Sequence, residues 1–427
     1  MDYRNNMTSD YLTSEPRSSK MNIFLLTMLL LFLSIGSQFN VQIGLALKPY
    51  MILFLLLTLC YLSKITIEKL LFFEVAFVSF YVYYALRGVI TAHPQAALRA
   101  IGGTLILLVF YFFCRYWLGR IRWKDIELAI VISGFLFNLL SLAYYLMGLV
   151  NLGFNMHGNG IREMGVLIDR NFARLLGLTN DPNIFVFVNM LFIAYFLTHR
   201  DKWWNLLGGF IAILCVVLTL SRGAIISVVI VLVLCLLVGN MKSKLIMILG
   251  ASGFLLLANV LFSQFMGFSL WELMMERFGT MSQDGGSGRF DIWTAGFIYF
   301  MEYPLFGIGS FNFQDYNYFS GGKAVFMHNS FLEILVETGI MGMIIYAVAI
   351  IALAWTLLKS VLADKEQWWL LIALVGYLSM MASLSLVLNE VFFFFFALVA
   401  RSLKEKRVDH EAKDGINETR SIFGKHI

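Results

Sequence analysis

The chain has 427 residues, of which 59% are hydrophobic and only 14% are charged. Soluble domains are nearer half apolar and a quarter charged, so this composition excludes an ordinary soluble protein and favours one that dissolves in lipid. The net charge of +5 comes from short basic clusters between apolar runs, a distribution that argues against nucleic acid as a partner.

Apolar runs of about the length that crosses a bilayer follow one another along the whole chain. Backbone exposed to lipid must satisfy its own hydrogen bonds, so each run is predicted to be a helix. Ser221-Arg222-Gly223 interrupts the apolar stretch 205–239 and divides it into two spans. The predicted runs are 22–37, 44–62, 70–87, 98–115, 126–149, 183–198, 205–220, 223–239, 244–263, 330–358, 368–386 and 388–402.

Basic residues set the predicted orientation of these spans. With the N-terminal tail in the cytoplasm, about two thirds of the 32 lysines and arginines fall in cytoplasmic segments. Both termini are therefore predicted to be cytoplasmic. The predicted division is a tail at 1–21, nine spans in 22–263, a large extracytoplasmic loop at 264–329, three spans in 330–402 and a second tail at 403–427.

Two outer connections, at about 150–182 and 264–329, are long, and long connections in a compact protein are usually functional or disordered. In the second, an amphipathic piece from Phe268 to Phe278 is predicted to lie in the outer interface. A helix-like stretch from Arg289 to Tyr303 follows and stops at Pro304.

Charged side chains at the outer face are the candidates for chemistry. Arg222 precedes a helix that begins near Gly223, so its guanidinium and the helix dipole would both favour a phosphate. The structural alternative is an interfacial arginine whose head group reaches water. Arg289 opens the helix-like stretch of the second loop, where a solvated arginine paired with Asp291 is the alternative.

Two further residues lie on the same predicted face. His328 has an imidazole, whose ordinary pKa of about 6.5 suits a base near neutral pH, although capping the following span is the structural alternative. Arg174 lies ahead of another helix, whose N-cap is predicted to be Asp181 or Asn180, with Pro182 in its first turn.

Together, outer-face arginines near helix starts, a histidine and aromatic-rich loops suit a diphosphate held beside a sugar. The sequence has no P-loop, Ser-His-Asp set, zinc signature or aspartate-rich metal motif in its outer loops, so a mechanism without a metal is predicted. A transporter of lipid-linked glycan is the alternative from another class, but charges gathered at one face favour a one-sided enzyme.

Five motifs occur in a fixed order along 174–343. They are the segment 174–183, Ser221-Arg222-Gly223, an R-x-x-x-W from Arg289 to Trp293, a P-x-x-G-x-G from Pro304 to Gly309, and an H-N-x-x-L-x-x-x-x-E-x-G from His328 to Gly339. In this order they resemble the O-antigen ligase and polysaccharide polymerase superfamily.

The resemblance implies an all-α, GT-C-like polytopic glycosyltransferase of a bacterial inner membrane, with about 12 transmembrane helices and short helices in its large extracytoplasmic loop. It implies an undecaprenyl-diphosphate-linked glycan as donor and no metal or cofactor. The family's essential arginines correspond to Arg222 and Arg289, and its essential histidine to His328. Arg174, Asn329 and Trp293 are expected to help bind the diphosphate and the glycan.

The acceptor stays open. A polymerase transfers the growing chain to a lipid-linked repeat unit, whereas a ligase transfers it to lipid A–core. The His328 segment and the compact final loop look more like polymerases of O-antigen, capsule or exopolysaccharide. Such a polymerase would have a chain-length regulator protein as a further partner.

Overall fold

The computed structural model describes residues 19–404 apart from 43–45, 67, 240, 267–268, 280–284, 323 and 364. Helices make up most of this part of the chain. In order they are α1 (Lys20–Ile35), α2 (Pro49–Tyr61), α3 (Phe72–Val89), α4 (Pro94–Leu118), α5 (Trp123–Asn151), α6 (Pro182–Thr198), α7 (Trp203–Leu218), α8 (Arg222–Val238), α9 (Met241–Met266), α10 (Leu270–Gly279), α11 (Gly285–Glu302), α12 (Phe313–Gly321), α13 (Ser330–Ala363) and α14 (Trp368–Met381). A further helix, α15, covers 390–404.

Each predicted apolar run overlaps one of these helices, and the protein is a multi-pass helical membrane protein. The prediction of helix is wrong for 46–48, because α2 begins only at Pro49 and a proline disfavours helical backbone in the residue before it. Five helices of the described residues, α3, α4, α5, α9 and α13, are long and apolar enough to cross a bilayer. Five shorter apolar helices, α1, α2, α6, α7 and α8, accompany them. The number of twelve spans, their orientation and the five-part division of the chain stay predictions, and the segments 1–18 and 405–427 of the two tails lie outside the described residues.

The long predicted loop holds three helices. The expected helix from Arg289 to Tyr303 corresponds to α11, which begins earlier, at Gly285, and ends at Glu302 before Pro304. The amphipathic piece corresponds to α10, although Phe268 lies outside the described residues. Its placement in the interface stays a prediction.

Short strands occupy two places where the sequence predicts no strand, and one of them, 46–47, falls inside the predicted apolar run 44–62. β1 (Val41–Gln42) pairs antiparallel with β2 (Ala46–Leu47), and β3 (Ile161–Glu163), β4 (Val166–Asp169) and β5 (Phe172–Leu175) form an antiparallel sheet in strand order. The second sheet lies in the first long outer connection and is held against α5, where the Tyr145 hydroxyl donates to the Ala173 carbonyl over 3.0 Å. Its last strand, β5, contains Arg174, one of the predicted site residues.

The helix α6 is the centre of the bundle, with nearly every residue from Phe185 to Leu197 buried. A helix that is apolar all round belongs in such a position. One polar side chain in it, Asn189, is fully buried and exchanges two amide hydrogen bonds with Asn138 of α5, over 2.9 and 2.7 Å. This pair fixes the register of α5 against α6.

Replacing either asparagine by leucine should destabilise the protein by about 1–2 kcal/mol, because the remaining amide stays buried without its partner. The double variant Asn138→Leu with Asn189→Leu should regain most of that loss. Thermal melts in detergent measure both effects. Single variants as stable as the parent protein would contradict the assigned role of the pair.

A break in α13 shapes the region next to the site. Gly339 has φ +68°, and a Cβ there would overlap the Leu305 carbonyl, so glycine is required. The motif segment 304–309 fills the break: the amides of Ile340 and Met341 donate to the carbonyls of Pro304 and Leu305 over 2.9 and 3.3 Å. Neighbouring backbone thus satisfies the groups that the kink frees.

The buried Glu337 secures the same junction. Its Oε2 accepts hydrogen bonds from the Tyr84 hydroxyl over 2.7 Å and from the Phe311 amide over 2.8 Å. Its backbone carbonyl accepts from the Gly309 amide over 2.9 Å. The P-x-x-G-x-G and E-x-G motifs therefore pack against each other. Together they hold the end of the long loop against α3 and α13.

Candidate active site

Arg222 is the first residue of α8. The Ser221 hydroxyl caps this helix by accepting from the Ala224 amide over 3.3 Å, and it also donates to Oδ1 of Asn183 on α6. Arg222 is partly exposed at this end. The predicted combination of a guanidinium with a helix N-terminus is therefore present, and both favour an anion.

Arg174 lies on β5 and is tied to the turn before α8. Its Nε donates to the Thr219 carbonyl over 3.0 Å, and its Nη1 pairs with Oδ2 of Asp169 over 2.9 Å. These bonds hold the small sheet against the start of α8. They place Arg174 close to the start of α8, where Arg222 lies. Two nitrogen atoms of the Arg174 guanidinium, Nε and Nη1, are already hydrogen-bonded within the protein.

Arg289 of α11 lies near Arg222 and Arg174 as well. Burial lowers the pKa of Arg289, the Asp181 carboxylate raises it, and the charges of Arg222 and Arg174 lower it further. The structure thus brings the two other predicted arginines and the Asp181 carboxylate within electrostatic reach of Arg289. Like charges held this close repel one another, and an anionic ligand would relieve that repulsion.

Asp181 is the N-cap of α6, as predicted. Its Oδ1 accepts from the amides of Asn183 and Ile184 over 2.7 and 3.2 Å, and Pro182 follows in the first turn. The cap fixes the carboxylate where it faces both Arg289 and His328.

His328 lies beside Arg289 and has a left-handed backbone with φ +52°. Burial lowers the pKa of His328, the nearby Arg289 charge lowers it further, and Asp181 opposes both effects. The imidazole is therefore held in its neutral form near neutral pH, which is the form that accepts a proton.

A short connection after α14 clamps this segment. The predicted span 368–386 ends as a helix at Met381, and the following residues turn back. Oγ of Ser385 accepts from the His328 amide over 3.0 Å, and the Ser330 hydroxyl donates to the Leu384 carbonyl over 2.6 Å. We call the connection 382–386 the serine clamp.

The serine clamp also touches the arginine side of the site. A Cβ on Gly223 would lie 2.8 Å from Oγ of Ser383, so the clamp packs directly on the helix turn that carries Arg222. Sequence reasoning did not find Ser383 or Ser385. The available signal was their alternation with leucine inside an otherwise apolar run.

The two remaining predicted residues make structural contacts. Trp293 donates from Nε1 to the Met327 carbonyl over 2.9 Å, just before His328. Asn329 uses Oδ1 to accept from the Phe331 and Leu332 amides, both over 3.1 Å, and thereby caps α13. Both side chains thus hold the His328 segment in place, and their direct contact with a glycan stays a prediction.

Metal binding was not predicted for this site. Among the described residues, no group of three or more histidine, cysteine, aspartate or glutamate side chains is placed to hold a metal ion. The groups that the site offers for binding and proton transfer are its arginines, its histidine and the Asp181 carboxylate.

A comparison with known families matches the part of the chain that contains most of this site. Residues 207–347 match the family model described as O-antigen ligase. This segment is an O-antigen ligase family domain. The match includes Arg222, Arg289, His328 and Glu337, and it covers about a third of the chain, so the resemblance predicted from the motifs is confirmed. No curated protein matches the chain. The match of this segment to the O-antigen ligase family model supports a role in the biosynthesis of glycans at the membrane.

Proposed function

We propose that this O-antigen ligase family protein is a glycosyltransferase that polymerises undecaprenyl-diphosphate-linked repeat units on the extracytoplasmic face of the bacterial inner membrane. The observation that carries the proposal is that Arg222 and Arg174 both lie near Arg289, with the neutral His328 beside it. Arginines that converge from separate elements suit a diphosphate, because a guanidinium makes paired bonds to phosphate oxygens.

The reaction follows from these positions. The acceptor hydroxyl passes its proton to the imidazole of His328 as its oxygen bonds to the anomeric carbon of the donor sugar. The bond from that carbon to the diphosphate oxygen breaks, and undecaprenyl diphosphate leaves with the electron pair. The negative charge that develops on this leaving group faces Arg222 and Arg289, which stabilise it.

An apolar cavity supports a donor with a long isoprenoid tail. It lies between α7, α8 and α9 and starts at Ile225, one turn of α8 beyond Arg222. Almost all of its lining atoms are apolar. A tail in this cavity would leave its diphosphate at the arginine cluster.

Filling the cavity should weaken donor binding. Val229 lines the cavity and is 50% exposed, so Val229→Trp should raise the donor KM about tenfold by occupying the space of the tail. Val233→Trp, on the same helix at a position 48% exposed but outside the cavity, is the matched control. Equal donor KM values in the two variants would contradict the placement of the tail.

A ligase that transfers the glycan to lipid A–core is the second candidate, because the matching family model carries the description O-antigen ligase. The polymerase is preferred for the resemblance of the His328 segment and the short final connection to polymerases. Purified protein incubated with lipid-linked repeat units, with and without lipid A–core, separates the two. A glycan ladder without core supports the polymerase, whereas a product that requires core supports the ligase.

A further inference from the structure

Phe326 is an exposed aromatic residue two positions before the proposed base. Its side chain is 45% exposed, although it lies between the buried Met327 and the partly buried Val325. Its ring centroid is 6.5 Å from that of His328 and 6.5 Å from that of Phe311. An exposed ring at this distance from the proposed base lies where a bound acceptor could contact it.

The backbone on both sides of this ring is firmly held. Met327 is buried, and its carbonyl accepts from Trp293; its side chain occupies the space that a Cβ on Gly296 of α11 would need. The His328 amide is bound by Ser385. Phe326 is therefore presented by a fixed segment.

Phe311 supports the ring from the other side. It has φ +59°, an unfavourable conformation for a residue with a large side chain, and its amide is held by the buried Glu337. In this conformation the Phe311 ring packs beside Phe326 with 71° between the ring planes. Glu337, a residue of the H-N-x-x-L-x-x-x-x-E-x-G motif, thus helps to build this surface.

We propose that the exposed face of Phe326 is the platform on which a pyranose ring of the acceptor stacks, so that its hydroxyl reaches His328. The inference rests on the proposed function and adds a residue that selects and orients the acceptor. A base acts only on a hydroxyl within hydrogen-bond reach. A flat apolar ring beside the imidazole restrains the sugar that carries this hydroxyl, while the arginine cluster binds the other substrate.

The test separates the effect of the flat ring of Phe326 from the effect of its apolar character. Phe326→Leu keeps an apolar side chain but removes the flat face, whereas Phe326→Tyr keeps the face. At saturating lipid-linked donor, the leucine variant should raise the acceptor KM about tenfold, while the tyrosine variant stays close to the parent protein. The donor KM should be unchanged in both. Phe24→Leu, at a position that is 56% exposed on α1, is the control.

Three outcomes decide the proposal. A raised acceptor KM in Phe326→Leu alone supports the platform. An unchanged acceptor KM in Phe326→Leu overturns it and leaves Phe326 as an apolar contact with lipid. If the parent protein forms no glycosidic bond from lipid-linked donor, the proposed function fails and the platform fails with it.

Discussion

Alanine in place of Arg289 is expected to abolish long-chain glycan, with a loss of rate of about 100- to 1,000-fold. Arg289 joins Arg222 and Arg174 where the leaving diphosphate would gain charge. Arg222→Ala should have an effect of the same size. Glycan ladders made by purified protein in lipid measure the loss, and the protein level in the membrane should stay normal.

The melting temperature of Arg289→Ala tests the same assignment independently of activity. The charges of Arg222 and Arg174 act against that of Arg289, so Arg289→Ala should melt no lower than the parent protein. Arg289→Lys keeps the charge but loses paired bonding, and a partial loss of activity is expected. Arg99→Ala, at an exposed position on α4, is the control. Full ladders in both Arg222→Ala and Arg289→Ala would refute the diphosphate site.

The second large effect is expected at His328. Replacing it with glutamine should lower the rate of transfer about 100- to 10,000-fold, because glutamine cannot accept the proton of the acceptor hydroxyl. Binding of the donor should persist, since the arginine cluster is unchanged. His157→Gln, at an exposed position in the first outer connection, is the matched control.

The pH profile of the parent protein tests the same assignment. Burial and the Arg289 charge lower the pKa of His328, so its neutral form persists to a lower pH than for a free histidine. The rate should rise with pH through an apparent pKa below about 6.5 and be constant from there to mild alkali. The residual rate of His328→Gln should not rise with pH in this range. If the rise persists in the variant, it comes from the titration of another group, and the assignment of His328 as the base is contradicted.

The helices could be predicted from the sequence because their signal is local. The apolar runs contain few charged residues, so the cost of exposing backbone to lipid favours a helix in each of them. The start of α8 at Arg222 and the end of α11 before Pro304 were equally readable, since Ser221 is a capping residue and proline stops a helix. Arg222, Arg289 and His328 were reached through motifs as well as through their predicted face.

What could not be predicted depends on contacts between distant segments. The three-residue and four-residue strands β3, β4 and β5 are too short for their alternation to stand out. Ser383 and Ser385 lie in a run apolar enough to continue α14, and only the contacts with Gly223 and His328 reveal their role. The structural hydrogen bonds of Trp293 and Asn329 could not be predicted for the same reason, because hydrogen-bond partners are not visible in the spacing of a motif.

The serine clamp links two parts of the molecule that a bilayer could otherwise move separately. Helices tilt when the hydrophobic thickness of the surrounding lipid changes, and α8 and α13 belong to different helix pairs. Ser383 packs on α8, while Ser385 and Leu384 bind the start of α13, so the serine clamp ties the two helix ends together. We therefore expect the separation between Arg222 and His328 to depend little on the composition of the membrane.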